Sequence, residues 1–287
     1  MKKVIVIGSG PAGISASLYL QRSGNINVTV ISKGVGALGK AEKIENFYGF
    51  ETAVSGEELH RRGVEGAKNL GVEFREEQVV SLNFDENFKP VIETDKNIYS
   101  ADAVLLAMGA SRRSADIQGL KEFEGKGVSY CAVCDAFFYR NKDVAVLGNG
   151  EYALHEALVL AETSKTVTML SNGFDVNIKV PENINVITKK IMSVNGENTV
   201  RSVTFDDGEI LEISGIFVAL GVAGSTDLAR KIGIEVSDNK IIVNEDMQTN
   251  IECIFAAGDC TGGVMQVSKA VADGAKAAFA MIKFLKK

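Results

Sequence analysis

The feature that most constrains this chain is a duplicated pattern of strand, glycine turn, helix and strand. The first copy opens with Val4-Ile5-Val6-Ile7, an unbroken β-branched run suited to a strand covered on both faces. Gly8-Ser9-Gly10-Pro11-Ala12-Gly13 follows at once, then helical spacing over 14–22, a second strand over 28–31 and the stop Ser32-Lys33-Gly34. The second copy runs Val144-Ala145-Val146-Leu147, Gly148-Asn149-Gly150-Glu151-Tyr152-Ala153, a helix through Ala161, a strand over 167–170 and Ser171-Asn172-Gly173. Short buried strands alternating with helices make parallel βαβ units.

One glycine turn of this kind is weak evidence; two in equivalent settings are stronger. The first glycine permits the tight turn, the second lets backbone approach a pyrophosphate, and the third position packs helix on strand. A tight turn with no ligand is the plain alternative, and it weighs more on the second copy than on the first. The tail adds Ile254-Phe255-Ala256-Ala257 as a strand, closed by Gly258-Asp259-Cys260, and helical spacing over 266–284. An Asp at the carboxyl end of a strand lies where open α/β sheets bind ligands. The expected fold is α/β: two Rossmann-like nucleotide-binding domains, the second inserted into a discontinuous first. The boundaries read as 1–114 with 245–287 for the outer domain and 115–244 for the insert.

Length and charge agree. The chain's 287 residues suffice for about two domains. A net charge of -6 disfavours a nucleic-acid partner, which needs clustered Lys and Arg. The apolar run after Met1-Lys2-Lys3 stops at Gly8, too soon for a secretory core, and nothing in the sequence is long enough for a membrane span. The cytoplasm is the expected compartment.

The chemistry centres on Cys131-Ala132-Val133-Cys134-Asp135. Two cysteines with two residues between them, at the start of an expected helix, make a redox motif, because helix N-terminal N–H groups stabilise a thiolate. The rival use is half of a zinc site, but Cys253, Cys260, His60 and His155 form no second short pair. No metal ligand set is therefore expected, and Cys253 and Cys260 read as small buried hydrophobes. Disulfide reduction needs an acid for the departing thiolate. His60 and His155 read as structural or solvated, leaving Asp135 as the candidate, with charge complementarity at the helix start as its plain alternative.

In order along the chain, the first glycine turn, Ile44-Glu45-Asn46-Phe47-Tyr48-Gly49-Phe50, Cys131-Ala132-Val133-Cys134-Asp135 and Ala256-Ala257-Gly258-Asp259 resemble the low-molecular-weight, bacterial-type thioredoxin reductases over essentially the whole length. The resemblance implies a homodimer and thioredoxin as substrate. It implies FAD held by Gly8, Gly10, Pro11, Ala12 and Gly13, with Asn46, Gly258, Asp259 and Gln266 also at the cofactor. Ser32 and Lys33 occupy the place of the ribose contacts. It further implies that Cys134 faces the flavin, Cys131 attacks thioredoxin and Asp135 is the acid. A rotation of the inserted domain about junctions near 112–118 and 240–246 is expected.

The departures from that family matter as much. Its second unit holds NADPH with a His-Arg-Arg cluster and a further Arg after the second strand. Here that stretch is Met169-Leu170-Ser171-Asn172-Gly173-Phe174-Asp175, and the nearest cation is Lys179. A 2′-phosphate needs clustered cations, and NADH would want an acidic residue that Ser171 and Asn172 do not supply. Tyr152 replaces a small residue of the turn. These losses resemble the ferredoxin-dependent flavin thioredoxin reductases, which implies reduced ferredoxin as donor; a flavin can accept electrons singly and release a pair. The Gly-Gly-Gln block usual at the flavin ring is Gly36-Ala37-Leu38 here. The alternatives are NADPH held through Lys179 or Arg201, a flavin redox sensor, and a reductase serving another disulfide protein. An acidic ferredoxin would call for a local basic patch, for which Lys189 and Lys190 are adjacent cations.

Overall fold

A computed structural model describes residues 1–110, 115–221 and 223–286. The chain begins β1 (Lys2–Ile7), α1 (Pro11–Arg22), β2 (Ile26–Ser32), α2 (Gly56–Asn69) and β3 (Glu73–Glu76), then β4 (Val79–Phe84), β5 (Pro90–Thr94), β6 (Ile98–Ser100) and β7 (Ala103–Leu106). The middle holds β8 (Val128–Ser129), α3 (Ala132–Asp135), β9 (Asp143–Leu147), α4 (Glu151–Ala161), β10 (Thr166–Leu170) and β11 (Asn185–Ile187), followed by β12 (Ile191–Gly196), β13 (Val200–Phe205), β14 (Ile210–Glu212) and β15 (Gly215–Val218). The last part holds α5 (Ser225–Lys231), β16 (Val236–Ser237), β17 (Lys240–Ile241), β18 (Ile254–Ala256) and α6 (Val267–Leu285).

These elements form two compact units, Met1–Ser111 with Gly224–Lys287, and Arg112–Ala223. The first carries a five-stranded parallel sheet in the order β18-β7-β1-β2-β3 and an antiparallel meander β4-β5-β6. The second repeats the plan, with β11-β10-β9-β15-β8 parallel and β12-β13-β14 antiparallel. The duplication read from the glycine turns is thus a duplication of whole sheets. In each, the strand that feeds the turn is central, and its neighbours on the two sides are reached by opposite crossovers, where open α/β sheets bind ligands. Each unit has its own apolar core, one around Val4, Val6, Leu20, Val30, Leu105 and Phe255, the other around Val128, Leu147, Leu170, Val203 and Ile216.

The return to the first unit comes at Gly224, not at 245. The elements between are short: α5, and a hairpin of two-residue strands joined through Asp238 and Asn239, both at positive φ. Ser225 Oγ donates to Gly109 O at 3.3 Å, which ties the start of α5 to the first unit. Part of the outgoing junction expected at 112–118 lies outside the described residues. Helix α1 starts at Pro11 rather than Ile14, since proline's fixed φ and missing N–H suit a first helical position.

Helices α1 and α6 cross closely because Gly274 has no side chain: a Cβ there would lie 2.1 Å from Ala12 O. Gly274→Ala is expected to cost about 1–3 kcal/mol, read as a lower thermal unfolding midpoint. Among the described residues no helix is long and apolar enough to cross a membrane.

Candidate active site and cofactor cradle

Strand β8 pairs with β15 at the edge of the second sheet and delivers the chain to the cysteines. Cys131 is extended and caps the following turn, and it is joined to Cys134 by a disulfide. Cys131 is buried and Cys134 exposed. The expected helix is a single α turn that passes into a 3-10 turn over Ala136–Tyr139. A macrodipole sums over aligned peptides, so so short a turn acts mainly through individual N–H groups. One of them, the Cys134 N–H, donates to Cys131 Sγ at 3.2 Å.

Asp135 is held beside the pair. Ser129 Oγ donates to its Oδ2 at 2.6 Å and accepts the Cys131 N–H at 3.1 Å, so one buried hydroxyl links acid and cysteine backbone. Burial, with the Asp135 charge as a second cause, pushes the Tyr139 phenol up. Phe137 and Phe138 stand exposed just past the disulfide, with Val133 exposed between its cysteines. A residue that the sequence did not single out enters here: Glu156, 1% exposed on α4, accepts the Ala132 N–H at 2.8 Å. The available signal was a charged residue on the helix face of Ala153, Ala157 and Leu160, all buried.

The first unit gathers the expected cofactor residues. Strands β1, β2 and β18 run parallel, so Gly8 to Gly13, Ser32, Lys33, Gly258 and Asp259 all lie at one carboxyl edge. Gly8 sits at φ 111°, and a Cβ there would meet Ala107 O at 2.4 Å. Gly10 caps α1 with no side-chain partner, and a Cβ on it would meet nothing closer than 4.0 Å. The first-turn N–H groups of α1 therefore face open space that a pyrophosphate fits. Asn46 Nδ2 donates to Gln266 Oε1 at 3.0 Å, bringing those two together. Lys33 donates to Gln78 Oε1 at 2.9 Å.

Two further features at this edge escaped the sequence reading. His60 Nε2 lies 3.0 Å from Ser9 Oγ inside the glycine turn, and burial holds its imidazole below the ordinary range, against a smaller opposing effect of the Ser9 backbone. Lys269 donates to Gly258 O at 2.8 Å and Gly262 O at 2.6 Å and pairs with Asp273 at 2.6 Å, which fixes the turn after β18. Cys260 is fully buried, and desolvation pushes its thiol up to about 12; Cys253 is half-buried.

The second unit's glycine turn is differently furnished. Tyr152 fills its first helical turn at 2% exposure. Beyond β10 the polar groups are bonded within this unit: Ser171 Oγ donates to Phe174 O at 2.5 Å, Asn172 Oδ1 accepts the Ile191 N–H at the start of β12 at 2.8 Å, and Asn149 Nδ2 of the glycine turn donates to Asp175 O at 3.0 Å. Lys189 is paired with both Asp207 and Glu209, so its charge is neutralised locally and makes no basic patch.

Comparison with known proteins agrees with this arrangement. The model of the pyridine nucleotide-disulphide oxidoreductase family matches residues 2–274. The thioredoxin reductase of Aquifex aeolicus is 34% identical, with 98% of this chain and 93% of the relative covered. The atypical thioredoxin reductase TRi from Desulfovibrio vulgaris Hildenborough is 36% identical, with a TM-score of 0.93 over 100% of this chain and 98% of that one. A ferredoxin-flavin thioredoxin reductase from Clostridium acetobutylicum is 30% identical, with a TM-score of 0.72 over 100% and 99%. The family uses FAD, and the open N-terminus of α1 fits it. With its Cys131–Cys134 disulfide and paired dinucleotide folds, this chain belongs to the pyridine nucleotide-disulphide oxidoreductases and, among them, to the thioredoxin reductases.

Proposed function

We propose that this thioredoxin reductase takes its electrons from reduced ferredoxin rather than NADPH and delivers them through Cys131 and Cys134 to thioredoxin. The observation that carries the donor assignment is the loop after β10, whose Ser171 and Asn172 side chains are committed to Phe174 O and the Ile191 N–H and which presents no Arg or Lys between Met169 and Ile178. A 2′-phosphate without a cation there would lose the charge-assisted contacts that hold it. The exposed Phe137 and Phe138 beside the disulfide offer apolar surface to a protein substrate.

Gly8, Gly10, Pro11, Ala12, Gly13, Ser32, Lys33, Asn46, Gly258, Asp259 and Gln266 would hold FAD, which when bound would accept electrons singly and supply them as a pair. The rest is thiol chemistry. The Cys131 thiolate attacks the thioredoxin disulfide, one thioredoxin sulfur leaves, and a mixed disulfide forms. Cys134 then attacks Cys131 Sγ, which re-forms the internal disulfide and releases the second thioredoxin sulfur. Asp135, oriented by Ser129, gives the departing thiolate its proton. Cys131 is buried in the oxidised state, so its attack requires the turn to become accessible.

Asp135→Asn is expected to slow single-turnover thioredoxin reduction about 10²-fold while the flavin is reduced at the unaltered rate. The donor is tested by thioredoxin turnover with each reductant. Turnover with reduced ferredoxin and none with NADPH supports the proposal; the reverse overturns it.

A further inference from the structure

We infer that Glu156 is a positioning residue of the redox pair, whose carboxylate keeps the Cys131–Cys134 dithiol strongly reducing. The inference rests on the reading that this pair cycles between disulfide and dithiol. Its starting point is a carboxylate in an expensive place. Glu156 is 1% exposed, on the face of α4 that buries Ala153, Ala157 and Leu160. A carboxyl group removed from water costs several kcal/mol unless its oxygens are bonded. Here both oxygens have partners: Oε2 accepts the Ala132 N–H at 2.8 Å, and Oε1 lies 3.3 Å from His155 Nδ1.

The Ala132 N–H is the first donor of the turn that follows Cys131. A second donor of that turn, the Cys134 N–H, points at Cys131 Sγ. The donors at the start of the turn are therefore divided, one to sulfur and one to Glu156. Where such N–H groups are left for the sulfur, they stabilise a thiolate, lower the thiol pKa and make the disulfide more oxidising. Glu156 does the opposite twice over: it occupies a donor, and it places a negative charge one residue from the cysteine that becomes a thiolate.

The redox balance shows what this changes. Two electrons break the Cys131–Cys134 bond. With uptake of one proton the products are a thiol and a thiolate; with two protons they are two thiols. The Glu156 charge penalises the thiolate product. Where the reduced pair carries that thiolate, it is less favoured at a given ambient potential and gives up its electrons more readily to thioredoxin. Asp135 has the separate task of moving a proton, since it is tied to Ser129 rather than to the turn's first N–H.

The test uses FAD-loaded protein equilibrated anaerobically with defined mixtures of reduced and oxidised dithiothreitol, with Cys131 and Cys134 thiols counted by alkylation and mass. Glu156→Gln keeps the size and an acceptor oxygen for the Ala132 N–H but removes the charge. At a pH above the thiol range of both proteins, where the reduced pair carries a thiolate, it is expected to shift the equilibrium about tenfold toward the reduced pair, about 30 mV for a two-electron couple. Glu156→Asp keeps the charge and is expected to stay near the unaltered potential. A Glu156→Gln potential within about twofold of the unaltered equilibrium, or a Glu156→Asp shift as large as that of Glu156→Gln, overturns the role of Glu156 and leaves the redox pair standing. A pair that releases no thiols even in excess dithiothreitol overturns both. The unaltered protein gives a check independent of any variant: by ultraviolet absorbance its reduced pair should convert to thiolate with a midpoint above the ordinary cysteine range, and a pair that is predominantly thiolate at neutral pH contradicts the inference.

Discussion

Cys134→Ser is expected to lower thioredoxin turnover by at least about 10³-fold, the scale seen when a catalytic nucleophile is removed, while the flavin remains reducible by its donor. The reason is the closed circuit of sulfur chemistry. Cys131 and Cys134 are joined in the oxidised protein, so electrons reach thioredoxin only by opening that bond. With serine at position 134 the bond cannot form, and Cys131 that has entered a mixed disulfide has no partner to release it. A stable, thiol-cleavable adduct between Cys131 and thioredoxin should accumulate and be visible as a mass increase under denaturing conditions. Cys131→Ser should abolish turnover equally but give no such adduct. If Cys134→Ser retains turnover, Cys134 is not the resolving sulfur. The exposed Cys134 and the buried Cys131 make the comparison of the two variants informative.

Gly13→Ala is expected to deplete the protein of FAD and to destabilise the first unit by about 1–3 kcal/mol, the usual range for forcing volume into packed structure. A Cβ on Gly13 would lie 2.0 Å from Gly8 O and 3.1 Å from Val6 Cγ1. Neither neighbour can give way cheaply. Gly8 already holds the tight turn at φ 111°, and Val6 belongs to the central strand of the sheet. Relief would require α1 to back away from β1, which withdraws the N–H groups of its first turn from a pyrophosphate. The expected readout is a fall in bound flavin per chain and a lower unfolding midpoint that added FAD does not restore. Gly10→Ala is the control, since its Cβ would meet nothing closer than 4.0 Å of protein. It should leave apo-protein stability nearly unchanged and act on flavin retention alone.

Much of this architecture was legible because the chain marks it locally. Val4-Ile5-Val6-Ile7 and Val144-Ala145-Val146-Leu147 read as buried strands, and they are the central strands of the two sheets. The glycines after them mark the turns, since Gly8 takes a φ that other residues rarely adopt. The return at Gly224 was not legible. Strands of two residues, such as β16 and β17, carry no period to read, and α5 has a single apolar stretch that fits either unit. The brevity of α3 was also hidden, because aromatic residues such as Phe137, Phe138 and Tyr139 are only mildly unfavourable in a helix. Tyr139 is drawn instead into an edge contact with Phe217, with ring centroids 5.2 Å apart. The partners of the site were the least visible. Glu156 is far in sequence from Ala132, and His60 from Ser9, so no spacing announces either contact. Lys269 and Asp273 do lie four residues apart on α6, a spacing that could have been noticed, but nothing local shows that they hold the turn after β18.

The measurement that bears most directly on the donor is flavin absorbance in an anaerobic stopped-flow experiment, with the FAD-loaded protein mixed separately with NADPH and with reduced ferredoxin. Rapid bleaching by ferredoxin and none by NADPH, at concentrations that saturate NADPH-dependent enzymes, is the expected result. Rapid bleaching by NADPH would contradict it, and would mean that the second unit holds the 2′-phosphate without the cations that the loop after β10 lacks.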